Sequence, residues 1–198
     1  VKPILESMQD SVIFYRIIRT FGLGESSMET VLLPLIDGQT DPTIATYAKE
    51  GECSLRVASK RATKEEAIEA VDRMIEDVNQ LIGEYIYSYD DEDLVDVVGK
   101  LLLEKHITIS CAESCTGGLF AAALTDIPGI SEVFERGIVT YSNRAKMEEL
   151  GVKAETLDKF GAVSPETACE MAAGLAEKTG SDLCISVTGI AGPGGGTA

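Results

Sequence analysis

Ser114, Cys115, Thr116, Gly117 and Gly118 stand together in the stretch SCAESCTGG (110–118), after a β-branched run and before an apolar, helix-like segment. A hydroxyl or thiol on such a turn can attack a carbonyl if backbone N–H groups face the oxyanion that forms. Ser114 and Thr116 are the candidate hydroxyls; Cys111 and Cys115 are the candidate thiols. Gly117 and Gly118 permit a tight turn and close approach of backbone to a ligand. A plainer reading competes. Serine or threonine ahead of a helix is commonly its N-cap, and cysteines at a strand end commonly pack as small apolar groups.

An attacking group needs a base. His106 is the single histidine. It falls at the far end of the preceding strand, about 25 Å from the turn at ~3.3 Å per residue, which removes a Ser-His-Asp triad or a Cys-His pair. A lysine serves instead when burial lowers its pKa. Lys146 is the candidate, about one turn into the helix that follows TYSN (140–143). Tyr141 ends the strand beside it and can either bond the lysine or hold a flat ring. An ordinary surface lysine remains the competing reading.

A third stretch, VTGIAGPGGG (187–196), is dense in glycine. It can wrap a phosphate with backbone N–H groups, or it is a flexible connection. It lacks the G-x-x-x-x-G-K-[ST] order, and no G-x-G-x-x-G follows a strand and opens a helix. An ATPase P-loop and a dinucleotide fold are therefore disfavoured.

The elements that must carry these stretches read as two sets. SVIFYRIIRTFG (11–22) is a strand by propensity. GESSMETVLLPLIDG (24–38) has helical spacing, weakened near its end by Pro34. TIATYAKEGECSLRVASK (43–60) is a hairpin around Glu50, Gly51 and Glu52. TKEEAIEAVDRMIEDVNQLIG (63–83) is the clearest helix, with a Thr63/Glu66 capping box and Gly83 at its end. EYIYSY (84–89) closes a β-α-β-β-α-β order, a split βαβ sandwich. Composition shifts at Asp90, Asp91 and Glu92, acids placed where a helix dipole favours them. Then follow a helix over 93–104, strand HITISCA (106–112), helix GGLFAAALTDI (117–127) and strand FERGIVTYS (134–142). Helices NRAKMEELG (143–151) and SPETACEMAAGLAEKTG (164–180) and strand DLCISVTG (182–189) complete the order. Strands alternating with helices predict a mainly parallel sheet with helices on both faces, a three-layer α/β/α domain. The expected division is 1–90, a small α+β domain, and 91–198, the α/β domain. In such a sheet ligands sit beyond the carboxyl ends of the strands, where all three candidate stretches fall.

The formal charge of −16 is shared by both halves, which argues against a broad nucleic-acid surface. No apolar run approaches the ~20 residues that span a bilayer. The five cysteines are odd in number and scattered, as in a reduced, cytoplasmic protein. With one histidine and no H-x-x-x-H, no metal site is expected. The chain opens on Val1 rather than Met and closes on a glycine-rich loop, which reads as a piece of a longer polypeptide.

AESCTGG (112–118), FERGIVTYSNRAK (134–146), GAVSPET (161–167) and TGIAGPGGG (188–196) together resemble the C-terminal domain of the CinA (competence/damage-inducible) family, the nicotinamide mononucleotide deamidase (PncC) domain. They occur in the family's order over residues 93–198. RTFGLGES (19–26) and YIYSYDDEDL (85–94) are similar to the KH-type domain of full-length CinA proteins, with the first ten residues a tail of the domain before it. The KH signature G-x-x-G is absent, since the glycines of GLGE lie two apart, and no RNA binding is expected.

The resemblance implies hydrolysis of the carboxamide of nicotinamide mononucleotide to nicotinic acid mononucleotide and ammonia. It implies no metal or organic cofactor, a small-molecule nucleotide as partner, and a homodimer; no membrane association is expected from the hydropathy. Ser114 matches the nucleophile, Lys146 the base, and Tyr141 a site residue. The backbone at Thr116 and Gly117 matches an oxyanion hole. Glu113, Gly118, Ser142 and Asn143 belong to the same motifs as oxyanion or substrate-binding positions. Thr188, Gly189 and Gly192 match a substrate-binding loop. The family's domain continues past this loop with a strand and an arginine-bearing segment. The alternative reading is a non-catalytic ligand-binding or assembly module.

Overall fold

The computed structural model describes residues 11–49, 51–192 and 194. The tail read at 1–10, Glu50 of the hairpin turn, and positions 193 and 195–198 of the glycine loop lie outside them. The chain divides into two units, the first ending at Val97 and the second starting at Val98.

In the first unit, β1 (Val12–Thr20), α1 (Glu25–Ile36), β2 (Thr43–Lys49), β3 (Glu52–Arg61), α2 (Lys64–Ile82) and β4 (Ile86–Ser88) follow the expected order. The strands form one antiparallel sheet, β2-β3-β1-β4, the strand order of a split βαβ. Alternation puts Ile18, Leu55 and Val57 on the helix side, against Met28, Leu32, Val71, Val78 and Ile82. The capping box stands as read: Glu66 N–H donates to Thr63 Oγ1 at 3.2 Å, and Thr63 N–H to Glu66 Oε2 at 3.4 Å. Pro34 sits inside the last turn of α1, which runs on to Ile36. Gly83 does not make a left-handed cap. It stays right-handed (φ −56°) and leads into a 3-10 turn, Gly83–Tyr85.

The acidic run serves more than a helix dipole. Arg19, 6% exposed, donates from Nε to Asp91 at 2.7 Å and from one terminal nitrogen to Glu52 at 2.6 Å and Asp93 at 2.9 Å. A buried guanidinium needs such partners; desolvation lowers its pKa, and Asp91, the Tyr87 hydroxyl and Glu52 outweigh it and raise the pKa.

The second unit takes up α3 (Leu94–Lys105), whose first residues precede the division. Then come β5 (Ile109–Glu113), α4 (Leu119–Thr125), β6 (Phe134–Val139), α5 (Asn143–Leu150), α6 (Ala154–Phe160), α7 (Pro165–Thr179) and β7 (Leu183–Val187). The sheet is parallel with order β6-β5-β7, so β5 is central and buried along its whole length. Helices cover both faces. Ala112 of β5 packs with Met171 and Leu175 of α7 and with Leu150, Val152 and Leu157. On the other face α4 lies so close to β6 that a Cβ at Gly137 would meet Ala121 Cβ at 3.1 Å. Among the described residues no helix is long and apolar enough to cross a membrane.

Three elements depart from the sequence reading. β5 starts at Ile109 rather than His106. His106 instead closes α3 in the left-handed region (φ 51°), with Ile107 N–H returning to Leu102 O at 3.0 Å, a Schellman arrangement. β6 ends at Val139, three residues early, because Thr140 and Tyr141 leave the ladder. α6 is an element the sequence reading lacks.

Candidate active site

The central strand and its neighbours end at one place. Beyond β5 lies Ser114, beyond β6 Thr140 and Tyr141, and beyond β7 Thr188. Because β6 and β7 flank β5 on opposite sides, their connections diverge there and leave a crevice at the strands' carboxyl ends.

Lys146 enters this crevice from the first turn of α5 and is 1% exposed. Its Nζ lies 2.8 Å from Ser114 Oγ, 2.8 Å from Thr140 O and 3.4 Å from Tyr141 O. Among the described residues no carboxylate pairs with it. Burial pushes its pKa below the ordinary lysine value, with only a weaker opposing pull from Cys115. The two carbonyls are available because the chain leaves the sheet after Val139: Thr140 N–H still donates to Glu113 O at 2.7 Å, while its carbonyl turns to the lysine. Ser142 fixes the start of the helix by accepting Ala145 N–H at 3.1 Å.

Ser114 is 6% exposed, and its N–H donates to Val187 O at 2.9 Å. The turn after it closes when Gly117 N–H donates to Ser114 O at 3.1 Å. Gly117 and Gly118 both take positive φ, 59° and 107°, where a side chain would be strained. Gly117 N–H is thus committed to the turn and Gly118 N–H to Glu113. Among the described residues the N–H groups of Cys115 and Thr116 have no hydrogen-bond partner, so the unpaired donors are these two and not Thr116 with Gly117. The Thr116 hydroxyl is likewise buried without a hydrogen bond of good geometry, although it lies close enough to Glu113 to favour its ionised form.

Ser114, Cys115, Tyr141, Lys146 and Thr188 line a cavity of about 320 Å³ with Ala162, Val163 and the loop 189–192. That loop includes Gly189 and Gly192. Thr188 Oγ1 donates to Ala162 O at 2.6 Å and ties the Ala162–Val163 wall to β7. A Cβ at Gly189 would lie 3.0 Å from Cys115 Sγ. Tyr141 meets the lysine through its carbonyl, and the residue as a whole is 69% exposed where it lines the cavity.

Of the sequence-read positions, Glu113, Thr116, Gly117, Gly118, Ser142 and Asn143 do not line this cavity. The Glu113 carboxylate turns into the protein, Ser142 caps a helix, and Asn143 opens it. Sequence reasoning missed Cys115 as a wall and missed Ala162, Val163, Ile190 and Ala191. The motif GAVSPET carried the first pair, but no local chemistry marked them. Cys111 is fully buried in β5 and does not line the cavity, and burial, then the charge of Glu113, pushes its thiol up to about 12, so it is no nucleophile here. His106 closes α3 before β5 begins, at the end of that strand away from Ser114. All five cysteines are free. Among the described residues no group of three His, Cys, Asp or Glu side chains converges to hold a metal.

Comparison with known proteins places the chain in a family. The model of the CinA C-terminal domain matches residues 91–198, and that of the damage-inducible protein CinA KH domain matches 15–88. A protein of Clostridium perfringens provisionally named competence-damage inducible is 51% identical over 197 residues, and one of Clostridium kluyveri is 47% identical over the same length. Each match covers 100% of this chain and 48% of the relative, so the chain spans about half the length of the curated relatives it matches. Among solved structures, competence/damage inducible protein CihA from Agrobacterium tumefaciens is 47% identical with a TM-score of 0.51, covering 54% of this chain and 67% of that one. A CinA superfamily protein from Escherichia coli is 37% identical with a TM-score of 0.51, covering 53% and 61%. The chain belongs to the CinA family.

Proposed function

We propose that the second unit is an amidohydrolase that converts nicotinamide mononucleotide to nicotinic acid mononucleotide and ammonia. The reading rests first on the 2.8 Å approach of Lys146 Nζ to Ser114 Oγ, with the amine buried and, among the described residues, no carboxylate paired with it. The substrate comes from the family resemblance. A cavity of about 320 Å³ is at the small-ligand scale, and Val163 and Ile190 offer apolar walls for a flat ring. The N–H groups of Gly189, Ile190 and Ala191 have no hydrogen-bond partner among the described residues and would face the polar end of the ligand.

The neighbours of Lys146 suit a neutral amine. Nζ lies within reach of Ser114 Oγ, Thr140 O and Tyr141 O; once neutral, the amine has two hydrogens for the two carbonyls and a lone pair for the Ser114 hydroxyl. Lys146 takes the Ser114 proton as Oγ bonds to the carboxamide carbon. The unpaired N–H of Cys115, on the cavity wall, holds the oxyanion, with that of Thr116 next to it in the same turn as the second donor; such donors are worth about 3 kcal/mol each by analogy with other oxyanion holes. The tetrahedral adduct collapses when the Lys146 ammonium gives its proton to the leaving nitrogen, the C–N bond breaks, and ammonia departs. Water then attacks the ester, losing a proton to Lys146, which returns it to Ser114 Oγ as the acid is released.

An acyl-enzyme can be intercepted. With hydroxylamine present, the reaction is expected to yield the hydroxamate of the mononucleotide alongside the acid, and Ser114→Ala to yield neither. Ammonia release without hydroxamate would point to direct attack by water and contradict the Ser114 step.

A further inference from the structure

We infer that Glu113 is the positioning residue of this site, a buried anion that staples the turn carrying the nucleophile and the oxyanion donors. The inference rests on the amidohydrolase reading and extends it to a residue that touches no substrate.

Glu113 is the last residue of β5 and is 1% exposed. Its Oε2 accepts Gly118 N–H at 3.1 Å and Phe120 N–H at 3.0 Å, and its Oε1 accepts Ala121 N–H at 2.9 Å. The side chain thereby closes a loop from residue 113 to residue 118. Ser114, Cys115 and Thr116 all lie inside that loop. The main chain of Glu113 reaches the other half of the dyad: its carbonyl accepts Thr140 N–H at 2.7 Å, and Thr140 O accepts Lys146 Nζ. One residue holds both the attacking oxygen and the base.

The chemistry calls for a carboxylate. Three backbone N–H groups converge on two oxygens, with the Cys111 thiol a weaker fourth donor at 3.8 Å, and both oxygens must accept. A glutamine has one acceptor oxygen, so its NH₂ group would face at least one backbone N–H. An aspartate keeps both acceptors but is one methylene short. Burial alone would raise the carboxyl's pKa. The nearby Thr116 hydroxyl and the three N–H groups outweigh it and keep the group ionised at neutral pH.

The test is the rate at which a small fluorophosphonate labels Ser114, read as adduct mass on the Ser114 peptide in the 198-residue chain. The probe forms an Oγ–P bond, expels fluoride and passes the serine proton to the base. It needs the dyad and the oxyanion donors but no particular substrate. Glu113→Gln is expected to slow labelling by about 100-fold or more, the scale of losing an oxyanion donor. Glu113→Asp should slow it less. In both, kcat for ammonia release should fall in parallel while KM stays within about threefold, since the altered contacts favour the transition state alone. Rates are taken per folded chain by circular dichroism. Labelling at the wild-type rate in either folded variant overturns the inference, because a purely structural role lowers only the folded fraction. A wild-type chain that neither labels nor releases ammonia overturns the dyad reading, and this inference with it.

Discussion

Gly174 of α7 runs so close to Leu150 at the end of α5 that a Cβ on it would sit 1.7 Å from the Leu150 carbonyl oxygen. This contact sets the distance between α7, which packs on the sheet, and α5, which carries Lys146. A helix interior ordinarily disfavours glycine by ~1 kcal/mol against alanine. Here the close approach of two backbones requires it.

Gly174→Ala is therefore expected to destabilise the chain although alanine is the better helix former. The overpacking cost is about 1–3 kcal/mol, a fall in Tm of several degrees. Ammonia release should drop further than the folded fraction, because α5 must move. A Tm equal to or above the wild type's would show that α5 and α7 are not in this register.

Lys146 makes stability depend on pH in a defined direction. Its folded-state pKa lies below the ordinary 10.5, so the unfolded chain binds the proton more readily. Stability then rises with pH between the lowered folded value and 10.5, and is lost as pH falls through that window. Lys146→Met lacks this dependence. The difference in Tm between wild type and variant should move in the wild type's favour as pH is raised from neutral toward 10. A flat difference would mean that the amine is not buried as a base.

In the first unit, Arg19→Met leaves Glu52, Asp91 and Asp93 facing one another without their shared cation. Asp91 and Asp93 are partly open to water, which moderates the penalty, and a loss of about 1–3 kcal/mol is expected. Fluorophosphonate labelling of Ser114 per folded chain should not change, since neither Arg19 nor its three carboxylates line the Ser114–Lys146 cavity. Urea unfolding of the two chains checks the first statement, and a labelling time course checks the second.

Much of the fold was legible because its signals are local. The Thr63/Glu66 box, the 3.6-residue stripe after it and the alternation in β1 and β3 each act within a few residues. α6 was not legible for the converse reason. AETLDKF has two large apolar residues and no side-chain N-cap. Its start is held from outside, by Glu170 of α7 accepting Lys153 N–H at 2.8 Å and the Thr156 hydroxyl at 2.7 Å. His106 misled in the same way: β-branched neighbours read as a strand, while a helix end claimed it.

The site divides similarly. Residue type and placement after strands made Ser114, Lys146 and the glycine loop candidates, but Thr116, two cysteines and a plain surface lysine competed, and it was the family resemblance that singled out Ser114 and Lys146. The cavity wall at Ala162 and Val163 did not, because only the Thr188 hydroxyl and the fold bring it there. Nor could spacing tell that Gly117 N–H is spent on closing the turn and that Glu113 faces inward.

The most direct measurement of the central claim is ammonia release from nicotinamide mononucleotide by the wild-type chain, Ser114→Ala and Lys146→Ala under single-turnover conditions. The expected result is release by the wild type and a fall of about 10³-fold or more in each variant, with both variants folded, since nucleophile and base act as one unit. Undiminished release by either variant would contradict the account.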